Sequence, residues 1–232
     1  MIRSARFYLA AAAAALVTAV APSPASAQIA LSNLVVELSG AKDARQDVEV
    51  ANNGADRAYV AVEPAEVVNP GTPSETRRSD PDPEKLGLLV APSRMILEAG
   101  ERKLVRIAEL APPGDRERIY RVTVKPVVGP LSSDQSGLKV LIGYEVLVLV
   151  RPAQPRAAVT ATRSGDTITF HNDGNVSVEL EHGRQCDASG KICSELPGKR
   201  LYAGAQWAAQ VKPGNHPEYM LRSPGQAVRK TF

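Results

Sequence analysis

Aromatic residues, histidines and cysteines are all scarce in this 232-residue chain, which has one tryptophan, three phenylalanines, six tyrosines, three histidines and two cysteines. With so few aromatic rings, any core must be filled by Val, Leu, Ile and Ala. The histidines, His171, His182 and His216, are far apart, and none lies in an H-E-x-x-H, G-x-S-x-G or P-loop context. They read as surface or turn residues, so no enzyme, cofactor or metal is expected. Two cysteines without neighbouring histidines make a poor zinc site. Asp80, Asp82 and Glu84 alternate with prolines, which is not the register of a calcium loop.

Charge of one sign is also lacking. The formal charge is +3, and without Arg3 and Arg6 it falls to +1, too little to mark a nucleic-acid binder. Those two arginines open the segment MIRSARFYLAAAAAALVTAVAPSPASA, in which Phe7 to Val20 is apolar and Ala25-Ser26-Ala27 offers a small-residue cleavage site. Residues 1–27 therefore read as a secretory signal peptide. No later stretch supplies the roughly eighteen consecutive apolar residues of a membrane span, so an exported, soluble mature chain is expected. In an oxidising compartment Cys186 and Cys193, across CDASGKIC with Gly190 at the return, are expected to form a structural disulfide. They lack the C-x-x-C spacing of a redox pair.

Strand signals fill the rest, and no amphipathic helix is expected. Apolar or alternating runs cover 29–38, 47–52, 58–62, 88–91, 95–97, 103–108 and 119–127, with a turn at Asn52-Asn53-Gly54 and a stop at Pro64. Residues 69–86 are polar and proline-rich, the composition of a solvated loop, Arg77 and Arg78 included. The strongest signal is Leu138 to Val150, in which every even position (Leu138, Val140, Ile142, Tyr144, Val146, Val148, Val150) is apolar. That alternation lasts about twice the usual strand length. Lys139, Gly143 and Glu145 interrupt the odd face, whereas after Val146 both faces are apolar. One strand thus reads as exposed at its start and buried at its end, which makes it a candidate for binding another strand along its edge. Arg151-Pro152 begins a stiff hinge. Further runs at 158–162, 167–170, 176–180, 200–202, 207–211, 219–221 and 227–232 predict a second β domain. About seven strands per domain, at this spacing, is the pattern of Ig-like sandwiches. The expected organisation is all-β, with domains at 28–151 and 152–232.

The order of these features resembles the periplasmic pilus-assembly chaperones of the PapD type. The resemblance covers essentially the whole mature chain and rests on Leu89-Val90-Ala91-Pro92-Ser93-Arg94, Leu97-Glu98-Ala99-Gly100, Val105-Arg106-Ile107, Arg116-Glu117-Arg118-Ile119-Tyr120-Arg121-Val122 and Val150-Arg151-Pro152. It implies two Ig-like domains in a boomerang and a binding function without chemistry. The last strand of the first domain would donate Leu138, Val140 and Ile142, with Tyr144, to a pilus or fimbrial subunit that lacks a strand, before delivery to an outer-membrane usher. Without a client, the chain could cap itself as an oligomer. Glu117 and Arg151 match the family's interdomain charged residues, while its acidic third member has no clear counterpart near Leu221-Arg222-Ser223.

Where the best-known branch anchors the client's C-terminal carboxylate with Arg and Lys, this chain has Val35 and Leu147. Arg121 and Lys125, with Arg151 as the third nearby cation, are the candidate replacements. The rival reading is an exported structural or adhesive protein of two sandwiches.

Overall fold

The computed structural model describes residues 28–40, 43–127, 141–187 and 189–232. The expected leader at 1–27 lies outside the described residues, and so do Leu138 and Val140. In the first half of the chain the strands are β1 (Ile29–Leu31), β2 (Val35–Leu38), β3 (Arg45–Asn52), β4 (Ala58–Val68) and β5 (Thr76–Arg78). After the single-turn helix α1 (Pro83–Leu86) come β6 (Leu88–Ala91), β7 (Arg94–Leu97), β8 (Arg102–Glu109), β9 (Arg118–Val127) and β10 (Tyr144–Val150). They form two facing sheets, ordered β1-β3-β8-β6 and β2-β10-β9-β4-β5, with β7 also on β4. The first apolar run is therefore split, its two halves serving opposite sheets.

Alternation decides which side chains enter the core. On β3, Val48 and Val50 are buried, while Asp47 and Glu49 point outward and pair with Arg106 and Arg102 of β8. Aliphatic side chains dominate this core, and Tyr120 is the one large ring fully inside it. Its hydroxyl donates to the Leu86 carbonyl at 3.0 Å, tying α1 to the sandwich. Asp82 caps that helix by accepting from the Glu84 amide, and Gly87, at φ 81°, ends it.

Pro64 does not end β4, which runs on to Val68. The Val62 amide donates to Ser93 on the β7 side, and two residues on, Pro64 turns its missing donor the same way. There it meets the gap between β7, paired only to Ala61, and β5, paired from Glu66, so no ladder bond is lost. The loop expected at 69–86 also departs from expectation, since it holds β5 and α1.

The second sandwich comprises β11 (Val159–Ser164), β12 (Thr167–Asn172), β13 (Val178–Cys186), β14 (Cys193–Glu195), β15 (Lys199–Leu201), β16 (Gln206–Gln210), β17 (His216–Ser223) and β18 (Gln226–Thr231). Its sheets are β11-β12-β16 and β14-β13-β17-β18, with β15 on β13. Much of the small aromatic complement is gathered here. Phe170 stacks on Trp207 and meets Tyr219 edge-on, each with ring centroids 5.4 Å apart. A bulge between Glu181 and Arg184 lets β13 pass over Tyr219, where a Cβ on Gly183 would stand 2.3 Å from the ring. Cys186 and Cys193 are bonded across the β13–β14 hairpin. Replacing both by serine is expected to cost about 2 to 3 kcal/mol, the loop-closure value for so short a ring, measured as a shift in the urea midpoint at unchanged slope.

The two sandwiches share one internal device, at the turns Asn52-Asn53-Gly54 and Asn172-Asp173-Gly174. Asn52 ends β3, and its side-chain amide donates to the Leu97 carbonyl at 3.0 Å, while its oxygen accepts from Gly54. Asn172 ends β12 and does the same with Val176, Leu201 and Gly174. Both are fully buried. Asn172→Ala and Asn52→Ala are each expected to cost about 2 to 3 kcal/mol, because each leaves buried carbonyls without donors. Denaturant unfolding of each variant measures this.

Candidate functional site

β10 has β9 beside it along its whole length, from Tyr144 opposite Val124 to Val150 opposite Arg118. On its other side β2 pairs with it in parallel, but only from Leu147 to Val150. The Leu147 amide donates to Leu34 at 2.9 Å, and there the cover begins. Among the described residues nothing pairs with the free edge at Tyr144 to Val146. The corner is apolar: Ile142 is 56% exposed, Leu34 51% and Val35 42%.

Among the described residues, the long strand expected from Leu138 begins at Tyr144. Residues 141–143 are outside the ladder. Gly143 runs close over β9, where a Cβ would stand 3.1 Å from that of Lys125. Ile142, expected within the strand, sits just before it. By parity it continues the line of Tyr144, Val146 and Val148, whose side chains pack into the first core, but it lies beyond the end of that core.

The odd face of β10 is also covered. Leu147 and Leu149 are buried with Val67 and Ile119, and Tyr202 of the second sandwich packs on that cluster. In register across the sheet, Val35, Leu147, Arg121 and Ala65 form one row. The two uncharged positions are therefore neighbours, and the cation nearest them in that row is Arg121. Arg121 makes no ion pair among the described residues. Lys125 is engaged by Glu63 at 2.8 Å. Glu145, on the free part of β10, is gripped by both terminal guanidinium nitrogens of Arg77 from β5, one bond being 3.0 Å. Arg77 holds the Glu145 carboxyl below its ordinary range, with a smaller contribution from the charge of Arg121.

Glu117 and Arg151 are brought together at the root of the same strand, 8% and 4% exposed. Arg151 donates to Glu117, and the other Glu117 oxygen accepts the Ser177 amide of the second sandwich at 2.8 Å. The third charged member is Glu37 of β2, 2.9 Å from Arg151. It does not come from the late strand of the second sandwich, where Arg222 instead pairs with Glu181. Sequence reasoning missed Glu37, although an acid in the apolar run Val35-Val36-Glu37-Leu38 was a usable signal. It also missed Arg77, which lies 68 residues from Glu145 and had no local signal at all.

The family model "Pili and flagellar-assembly chaperone, PapD N-terminal domain" matches residues 28–156. The chain is 29% identical over 216 residues to the probable fimbrial chaperone EcpE of Escherichia coli O157:H7, covering 87% of this chain and 86% of the other. The crystal structure of the class 5 fimbriae chaperone CfaA superposes with a TM-score of 0.67 at 22% identity, over 88% of this chain and 98% of that one. A chaperone–tip adhesin complex of CFA/I fimbriae superposes at 0.64 and 21% identity, with the same coverage.

Proposed function

Because the chain belongs to the family of pili and flagellar-assembly chaperones with a PapD N-terminal domain, we propose that it holds secreted pilus or fimbrial subunits in the periplasm by strand donation and passes them to an outer-membrane usher. One observation carries this reading. β2 covers only the buried end of β10, so the start of the strand keeps a free edge beside an exposed apolar corner. An incomplete subunit would gain main-chain hydrogen bonds from that edge and cover its own groove with the residues that precede it. Each large apolar side chain so buried contributes roughly 1.5 to 3 kcal/mol. No turnover and no cofactor are needed. Without a client the same edge is open to a second copy of the chain.

Arg121 is the proposed anchor for an acidic group on the client, having no ion pair among the described residues and lying in the same row as Val35 and Leu147. Lys125 is a secondary candidate, since Glu63 already neutralises it. Export would proceed through the leader at 1–27, and protein recovered from the periplasm is expected to begin near Gln28.

The test is co-expression with any small secreted proteins encoded beside this chain, followed by pull-down from the periplasm. A one-to-one complex, weakened by Arg121→Ala more than by Lys125→Ala, is the expected result. A lone monomer that captures none of them would favour the structural or adhesive reading.

A further inference from the structure

A strap crosses the cleft between the sandwiches and ends on the open strand. It is the β4–β5 hairpin, whose tip is braced from within: the Thr72 hydroxyl donates to Asn69 at 2.9 Å and the Gly71 amide to Glu75 at 2.7 Å. Arg78 pairs with Glu66 across its two strands. The tip lies against the second sandwich. A Cβ on Gly71 would stand 3.0 Å from the Tyr202 ring, and a cleft of about 300 Å³ lies between Asn69, Pro70 and Thr72 on one side and Tyr202 and Gly204 on the other. The base of the hairpin carries Arg77, which grips Glu145 on the free segment of β10. Tyr202 meanwhile packs on the cluster that Leu147 and Leu149 of the same strand form with Val67 and Ile119.

The Arg77–Glu145 pair is half exposed, so its direct worth to stability is small. Its geometry matters more. A bidentate guanidinium–carboxylate contact fixes orientation as well as distance, and this one holds the middle residue of the free edge, one residue short of the last uncovered position of β10. We propose that the β4–β5 hairpin is a strap through which the second sandwich positions the open edge of β10, with Arg77 and Tyr202 as positioning residues. The second sandwich would then hold the edge in place without contributing a strand to it. What the edge is for rests on the chaperone reading above. The strap itself can be tested without a client, so the two can fail separately.

The experiment is hydrogen–deuterium exchange, followed by mass spectrometry, on the whole mature chain and its Arg77→Ala and Glu145→Gln variants, surface changes that spare both cores. Losing the pair is expected to speed exchange about two- to fivefold at residues 144–146 and also at the turn 202–205, whose Gly204 and Ala205 amides are hydrogen-bonded. β13 should exchange as before. Faster exchange confined to 144–146 would overturn the strap and leave an ordinary surface ion pair, and so would no change at either place. Tyr202→Phe, which keeps the ring, is expected to match the parent protein at both segments. If it instead exchanges as fast as Arg77→Ala, ring packing is not what the strap uses.

Discussion

Arg151→Ala is expected to destabilise the protein by about 3 to 5 kcal/mol, the range for removing one partner of a buried ion pair. Glu117 would remain almost fully buried with the Ser177 amide as its one remaining donor, and Glu37 would lose its only ion-pair partner among the described residues. The backbone of Arg151 would still donate to Leu38, so β10 would keep its place in the sheet. The loss should therefore appear first as disorder between the sandwiches. A combined Glu117→Leu and Arg151→Met variant separates the two effects. Filling the site with apolar side chains removes the uncompensated charge, and stability should largely return. The bond from Glu117 to the second sandwich would still be gone, so small-angle scattering should show a wider spread of interdomain angles than in the parent protein. A cost below about 1 kcal/mol for Arg151→Ala would instead place the pair among solvated surface contacts.

Much of this arrangement is legible in the sequence because it rests on local periodicity. The unbroken apolar run from Val146 to Val150 marks a strand end with two buried faces, and both are accounted for: Val146 and Val148 in the first core, Leu147 and Leu149 in the cluster on which Tyr202 packs. The Asn-x-Gly turns mark the ends of β3 and β12 because a short polar side chain there can serve several backbone groups at once. What the sequence hides depends on contacts distant along the chain. Pro64 reads as a stop until the neighbours of β4 are known, since only the gap between β7 and β5 makes its missing donor harmless. Arg77 reads as loop because its partner lies on another strand of the sheet. Glu37 is an unremarked acid until β2 is laid beside β10, which places it on Arg151. The early end of the β10 ladder is a further case, because the pleat pattern runs on to Leu138 while the backbone at Gly143 leaves the ladder.

The largest functional effect is expected from replacing Leu138, Val140 and Ile142 together by serine. Ile142 is more than half exposed and lies beyond the core that holds its even-numbered neighbours. Leu138 and Val140 lie outside the described residues and enter through the alternation of the sequence alone. If all three are donated, removing them forfeits at least about 4 kcal/mol of apolar burial in the complex, which corresponds to roughly three orders of magnitude in affinity. Pull-down of a client should fall below detection. Tyr144, Val146 and Val148 would remain in the core, so the thermal midpoint should stay within about 2 °C of the parent, since surface changes usually alter stability by no more than about 0.5 kcal/mol. The two readouts together decide the role of the segment. A variant that melts early would show that these side chains belong to the core of the first sandwich. A variant that keeps its midpoint and still captures its client would show that the free edge at Tyr144 to Val146 binds without the residues that precede it.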